Sequence, residues 1–498
     1  MLLPAMLRTA LSYARGQRPR VEDMERLVRY MRERRKKGLR STPSNRAWRP
    51  QRWAVGNPER VRALQARQLR KTVQYVYRYV PFYRQAMDDL GLKPTDIRSQ
   101  ADVHKLPITH REQLCENTEA FISRYPGLVP TLPVYTGGTT GRSLEVYLTT
   151  EELRYYAAAR ALSYLRSGLL GPRGILQLHQ SLDDSMEGLI TSMAALLVGA
   201  LILSIGNKGT LDDHVESIFR ERHIPGKRAK VSGLVTPPSH LWALTQRAED
   251  MGVNFADSGL RWIISGGATV SQDLRQRVRE TWGVRLSEAY GLREMVTGSA
   301  YQCPRSERLH FQDPGAYAEV LDPETEEPLP AGEPGVLTVT TFYPYRELMP
   351  LLRYRTEDLA VLSSDPICIC GAATTQILDI LGRADHVLLV GENTYYAQAI
   401  GDSLLAFREL VLPPRFVLRT EQREDAQYVV LDVEMGAALS PLEEHQLRER
   451  IREGIVFSRH WEVRLGSVKL EVNLCPAGSV DKPFPYKHQW LVLDRRAD

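Results

Sequence analysis

At 498 residues the chain exceeds the usual single-domain range, so two or more domains around one large core are expected. Its 43% hydrophobic and 25% charged residues exclude a disordered or fibrous protein, while five cysteines, an odd number, exclude a disulfide framework and suit a reducing cytoplasm. The net charge of +5 is uneven, since residues 1–50 hold 14 Lys and Arg against 4 Asp and Glu, yet no DNA- or RNA-binding motif accompanies them.

Residues 1–60 read as a basic N-terminal extension. The apolar run Leu2 to Leu7 is too short and broken for a secretory signal. Val21 to Lys37 has helical character, and Arg32 to Arg40 reads as a solvated helix face. Ser41 to Pro58, rich in Pro, Ser, Asn and Trp, shows no periodicity. Apolar positions from Val61 to Leu90 predict a helix, and Leu106-Pro107-Ile108 opens a loop before another.

An α/β body follows, in which the apolar runs Gly174 to Leu178, Ala200 to Ile205, Ala229 to Val235 and Leu260 to Ile264 alternate with helical segments, the pattern of a mostly parallel sheet. The uncharged stretch Gly188 to Asn207 is long enough for a bilayer, but Thr191, Ser192, Gly199, Ser204 and Gly206 interrupt it. It predicts a buried helix and strand, with no transmembrane segment. After Asp385 the pattern changes to a small α+β unit: strands at Arg415 to Leu418, Tyr428 to Met435 and Val468 to Leu474, and a charged helix from Pro441 to Ile455. No fixed-period repeat is visible.

Four segments carry chemistry. In Tyr135-Thr136-Gly137-Gly138-Thr139-Thr140-Gly141-Arg142-Ser143 the glycines let the backbone approach an anion, and the amides and hydroxyls can donate to phosphate oxygens with Arg142 as a mobile cation. It lacks the G-K-[ST] ending of a Walker loop. In Ser287-Glu288-Ala289-Tyr290-Gly291-Leu292-Arg293-Glu294, Glu294 offers a hard oxygen ligand suited to Mg2+. In Arg353 to Leu359, Asp358 can accept both hydroxyls of a ribose. The fourth, Leu381-Gly382-Arg383-Ala384-Asp385-His386-Val387, lies where the large unit gives way to the small one.

In this order and spacing the four segments resemble the motif series of the adenylate-forming (ANL) superfamily. Val80-Pro81-Phe82-Tyr83-Arg84, Leu106-Pro107-Ile108-Thr109 and the T-G-G-T-T-G loop resemble its phenylacetate-CoA ligase and capsule-biosynthesis branch, over about residues 65 to 495. The resemblance implies an α/β fold with a large adenylation domain, residues 61–383, and a small mobile α+β domain, residues 384–498. It implies a phosphate loop at Thr136, Gly137, Gly138, Thr139, Thr140, Gly141 and Arg142, with Thr139 also taking part in catalysis. It further implies nucleotide contacts at Glu288 and Tyr290, Mg2+ at Glu294, ribose contacts at Asp358 and Arg383, and a hinge at Asp385. Gly266, Gly267 and Ala268 would line the nucleotide and acyl sites, with Tyr135, His240 and Tyr290 as further substrate contacts. Lys487 would place a cation between the acid and the α-phosphate; Lys482 is its competitor.

The implied reaction uses ATP and Mg2+ to turn a small carboxylic acid, aryl acids included, into an acyl-AMP, and then passes the acyl group to CoA. Two departures bear on the second step. Tyr486 replaces the glycine usual before the lysine, and Gly391 to Tyr396 lacks the usual proline and later acid. Alternatives are therefore transfer to a carrier-protein arm or an amine, and a catalytically inactive nucleotide-binding scaffold; a homodimer is a further expectation.

Cys303, His310, Cys368 and Cys370 form a set of four N/S ligands fit for a closed structural Zn2+ site, and similar positions occur in relatives of this branch. Such a site would pin the loop after Glu294 to the segment after Asp358. Asp183, Asp184 and Glu187 read as an exposed loop or helix start. His179 and His240 stand beside apolar runs as satisfied core imidazoles. Neither H-E-x-x-H nor G-x-S-x-G occurs, which leaves protease and serine-hydrolase readings without support.

Overall fold

The computed structural model describes residues 2–37, 56–136, 144–180, 186–206, 208–268, 270–296, 300–311, 315–384, 387–390, 393–411, 414–423, 426–455, 468–480 and 491–493. The chain opens with α1 (Leu2–Ala14) and α2 (Val21–Lys36). Val21, Met24, Leu27, Val28 and Met31 of α2 are buried in the main core, so these helices are packed into the large body. Arg32 and Arg35, expected on a solvated face, donate to the carbonyls of Leu197 and Leu165, at 3.4 and 3.1 Å. Those carbonyls lie in the last turns of two core helices, where a cation meets the negative helix end.

The single helix expected over Val61 to Leu90 is two, α3 (Pro58–Tyr79) and α4 (Pro81–Asp89), because a proline disfavours helical backbone in the residue before it. Asn57 caps α3 through the Arg60 amide. Then come α5 (Arg111–Glu116), the antiparallel pair β1 (Leu132–Thr136) and β2 (Leu144–Leu148), and α6 (Thr150–Ser167).

The α/β body continues with β3 (Ile175–Leu178), α7 (Met186–Val198), β4 (Leu201–Ser204), α8 (Leu211–Phe219), β5 (Gly233–Thr236), α9 (Pro238–Asp250), β6 (Ile263–Gly266), α10 (Gln272–Trp282) and β7 (Leu286–Tyr290). β8 (Ala300–Gln302), β9 (Leu309–Phe311), β10 (Ala316–Leu321), β11 (Pro334–Thr341), β12 (Tyr354–Leu362) and β13 (Gln376–Arg383) follow. The uncharged stretch is α7 and β4, and among the described residues no helix is long and apolar enough to cross a membrane.

Eleven strands form one mixed sheet in the order β10-β11-β12-β13-β9-β8-β7-β6-β5-β3-β4. The β4-β3-β5-β6-β7 half is parallel and the rest antiparallel. Along the parallel strands alternate residues enter different cores: Ile175, Leu234 and Ile263 pack with α8, α9 and α10, whereas Leu176, Val235 and Ile264 face the main core with α6 and α7. Both faces are thus covered, as a parallel sheet requires. Two expected strands, 229–235 and 260–264, sit slightly later, at β5 and β6, where each apolar run reaches its buried positions.

Beyond residue 384 lie β14 (Val387–Val390), β15 (Asn393–Tyr396), α11 (Ala397–Leu404), β16 (Phe416–Arg423), β17 (Ala426–Glu434), α12 (Pro441–Gly454), β18 (Val468–Cys475) and β19 (Leu491–Leu493). A second sheet in the order β18-β17-β16-β19 packs on α12 around its own core, which includes Leu404, Phe416, Leu431, Leu447, Ile451 and Val472.

Candidate functional site

The parallel strands β3, β5, β6 and β7 end along one edge of the sheet, the crevice where open α/β sheets bind ligands. β7 ends at Tyr290, and Tyr290 Oη donates to Asp358 Oδ2 at 2.7 Å. Burial, then the neighbouring Asp358 charge, push the Tyr290 phenol well above its ordinary pKa, so it stays a neutral donor. Asp358 pairs in register with Arg383 across β12 and β13, and Arg383 Nη1 lies 3.9 Å from Asp358 Oδ1. Three of the four motifs therefore meet around one carboxylate. Glu357, a non-glycine residue at φ +61°, sits in an irregular stretch of β12 where the register to β11 shifts, while Asp358 beside it keeps its pairing to β13.

Glu294 lies in the turn after β7 and is buried. Its Oε1 accepts from Arg111 Nη1 at 2.8 Å and from Tyr354 Oη at 3.3 Å. Burial, then Glu294, hold the Tyr354 phenol well above its usual pKa. Arg111 reaches this point because Thr109 bridges to Tyr354: its amide donates to the Arg353 carbonyl and its carbonyl accepts from the Arg355 amide, both at 3.0 Å. Arg293 donates to the Tyr135 carbonyl, which ties the Glu294 segment to the entrance of the glycine loop.

Sequence reasoning missed Arg111, Tyr354 and the role of Arg293. Only Leu106 to Thr109 signalled that its segment mattered; a pairing across some 240 residues leaves no local mark.

Other expected residues take different places. Glu288 is a structural brace: its carboxylate is paired with Arg275 and accepts from the Val270 amide at 3.4 Å. Burial raises its pKa and Arg275 opposes that shift. Gly266 is required by packing, since a Cβ there would stand 2.4 Å from the Ala289 carbonyl oxygen. Gly267 and Ala268 are exposed just past the end of β6. His240 lies at the start of α9 beside His214. The Thr136 side chain, residues 137–143 with Thr139 and Arg142, the hinge Asp385, and both Lys482 and Lys487 lie outside the described residues.

At the other end of β8 and β9, the reactive atoms of Cys303, His310, Cys368 and Cys370 all lie within 4.8 Å of one another. Cys303 Sγ is 3.7 Å from Cys368 Sγ, and Cys370 Sγ is 3.3 Å from His310 Nε2. Tetrahedral zinc would set these separations at about 3.8 and 3.6 Å, whereas a disulfide needs about 2 Å. His310 Nδ1 bonds Thr374 Oγ1 at 2.7 Å, an outer contact that orients the ring. Gly371, at φ +88°, makes the tight turn that folds Cys368 and Cys370 inward.

A phenylacetate-coenzyme A ligase from Thermus thermophilus is 30% identical over 456 residues, covering 88% of this chain and 97% of the relative. The chain belongs to the phenylacetate-CoA ligase family of adenylate-forming enzymes. A phenylacetate-coenzyme A ligase from Escherichia coli is 26% identical over 80% of this chain and 90% of its own length. A family model described as AMP-binding enzyme matches residues 130–343, a span that includes the glycine loop, Tyr290 and Glu294. Among solved structures, 2-hydroxyisobutyryl-CoA ligase in its postadenylation state superposes with TM-score 0.72 at 20% identity, over 91% of this chain and 94% of that one. The protein is an adenylate-forming acid–CoA ligase.

Proposed function

We propose that this ligase activates an aryl-substituted carboxylic acid with ATP. An acid carboxylate oxygen attacks the α-phosphorus, the bond to pyrophosphate breaks, and pyrophosphate leaves. The CoA thiolate sulfur then attacks the acyl carbon, the bond to the AMP oxygen breaks, and AMP leaves. Asp358 and Arg383 hold the ribose, Tyr290 borders the adenine and acyl sites, and the glycine loop with Thr139 and Arg142 receives the phosphates. Glu294 would hold Mg2+, which shields the phosphate charge when bound. Lys487 serves the first step and Asp385 is the hinge about which the small domain turns for the second.

The observation that carries this reading is the Tyr290–Asp358–Arg383 arrangement, in which groups far apart in sequence meet at one acceptor. An ionised carboxylate is acceptor-only, and its two oxygens can take both hydroxyls of a ribose. The aryl preference is supported by the relatives named phenylacetate-coenzyme A ligase. Cys303, His310, Cys368 and Cys370 would hold a structural Zn2+, with no ligand position left open.

The test is pyrophosphate release across aryl and alkyl acids, with and without CoA. Release with aryl acids and a CoA-dependent thioester supports the reading; release only with short alkyl acids overturns the substrate class. Tyr486 and the Gly391 to Tyr396 departures favour, as a second reading, a carrier-protein arm or an amine as acceptor. Hydroxylamine-trappable acyl-AMP without any thioester would select it.

A further inference from the structure

His179 and His240, expected to be isolated core imidazoles, are in contact with each other and with His214, which sequence reasoning passed over. His179 follows β3 and is pinned by its amide to the Val235 carbonyl of β5 at 3.0 Å; His214 lies on α8 and His240 in the first turn of α9. Ring centroids are 4.5 to 5.2 Å apart, and one nitrogen from each ring falls within 4.8 Å of the other two. His214 Nδ1 and His240 Nε2 are 3.1 Å apart. His179 and His214 are buried.

The tautomers can be followed around the cluster. His214 Nε2 lies 2.7 Å from the Lys208 carbonyl, which only accepts, so Nε2 carries the proton and Nδ1 keeps its lone pair toward the cluster. A carbonyl on the outer nitrogen is the orienting contact seen at metal-binding imidazoles. His179 Nδ1 is buried with no hydrogen-bond partner, and so is Gln177 Oε1 beside the same ring. Since Nδ1 is sealed from solvent, whatever satisfies it lies within the cluster. A water would need room and two or more partners there. A metal ion needs only converging lone pairs.

We propose that His179, His214 and His240 form a second metal site, a three-imidazole site for a divalent late transition-metal ion such as Zn2+, distinct from the cysteine cluster. Tetrahedral coordination by imidazole sets ligand nitrogens about 3.3 Å apart, close to the 3.1 Å of the His240 Nε2 to His214 Nδ1 hydrogen bond, which metal replaces as His240 takes the tautomer protonated on Nδ1. Ligation by His179 Nδ1 places the proton on Nε2. The Gln177 amide then turns to offer Oε1, giving up its donation to the His214 carbonyl. The His179 and His214 rings lie nearly parallel, 14° apart, so one of them rotates about its Cβ–Cγ bond to bring both lone pairs to one point. Three nitrogen ligands select zinc, copper or nickel over magnesium, and leave a fourth position for water or an anion.

The experiment uses the full chain carrying Cys368→Ser and Cys370→Ser, stripped with chelator, equilibrated with Zn2+ and desalted. About one zinc per chain should remain, with a raised melting temperature, and both should vanish on adding His240→Ala. His240 is half-buried at a helix start, so its removal spares the core. A cysteine variant that holds no zinc, or holds one that His240→Ala and His179→Ala leave in place, overturns the proposal. Should the cysteine variant fail to fold, cobalt replaces it as the readout on the wild-type chain. Two equivalents are then expected, the one lost in His240→Ala showing visible d–d bands without thiolate charge transfer; a single, thiolate-bound cobalt overturns the site.

Discussion

Arg111 Nη1 lies 2.8 Å from Glu294 Oε1, and both side chains are largely withdrawn from solvent. The carboxylate assigned to magnesium is therefore already neutralised by a cation from the N-terminal part of the chain. Arg111→Gln removes the competitor while keeping an amide donor, so the Mg2+ concentration for half-maximal pyrophosphate release should fall by about threefold to tenfold. Glu294→Gln should lower the rate about 100-fold or more. If Arg111→Gln raises the magnesium requirement instead, Glu294 is not the ligand.

Asp358→Ala should weaken ATP binding by about tenfold to a hundredfold, because the hydrogen bonds it replaces are charge-assisted. Tyr290→Phe should act in the same direction more mildly. A double-mutant cycle on the KM for ATP should give a coupling of about 1 kcal/mol or more; additivity would mean that the 2.7 Å contact is idle in the bound enzyme.

The most buried ion pair among the described residues is Arg346 with Glu152, each side chain 0% exposed. Glu152 Oε1 accepts from Arg346 and from the Glu347 and Leu348 amides, and Oε2 from the Thr149 amide at the start of α6. Arg346→Ala strands that carboxylate and should cost about 3–5 kcal/mol in urea unfolding. Arg346→Met with Glu152→Leu should recover part of the loss, although the three amides remain unpaired.

Helix α1 is held to α2 by Arg8, which donates to Asp23 through Nε at 2.7 Å. The Arg8 hydrogen bond is the largest cause holding the Asp23 pKa below its ordinary value, against burial. A carboxylate with a depressed folded pKa stabilises fully above its unfolded pKa, near pH 3.9, and loses that contribution as pH falls through the folded value. Acid should thus release the α1–α2 contact, seen as proteolysis in residues 1–37 at low pH. Asp23→Asn should give that cleavage at neutral pH too; full protection of the variant would sink the assignment.

Chelating the zinc proposed for the cysteine cluster should lower the melting temperature, and Cys368→Ser should lose about one zinc per chain by elemental analysis. A zinc content unchanged by that substitution would refute the site.

Much of this was legible in the sequence. Three of the four motifs, the four zinc-type ligands and the change of pattern after residue 384 each depend on residue types at short spacing. The unread part was long-range. Val21 to Lys37 looked like an appendage because its apolar stripe could not say what it faced. Arg111 and Glu294, or the three histidines, come from separate elements and share no local pattern. Glu288 shows the reverse: its motif position suggested nucleotide, while a buried arginine on α10 decides its role. Lys487 and the glycine loop rest on their residues alone.

Among the described residues β9 and β13 meet at a short seam in the large sheet, where Gln376 pairs with His310, Ile377 with Leu309, and the Phe311 amide donates to the Thr375 carbonyl at 2.9 Å. The cysteine–histidine cluster flanks this seam, and the Tyr290–Asp358 hydrogen bond spans it, with one partner on β7 and the other on β12. A loosened seam therefore changes the span between those two side chains directly. The Tyr290–Asp358 contact becomes a gauge of how tightly that joint is closed, read by residues that never touch the sulfur ligands.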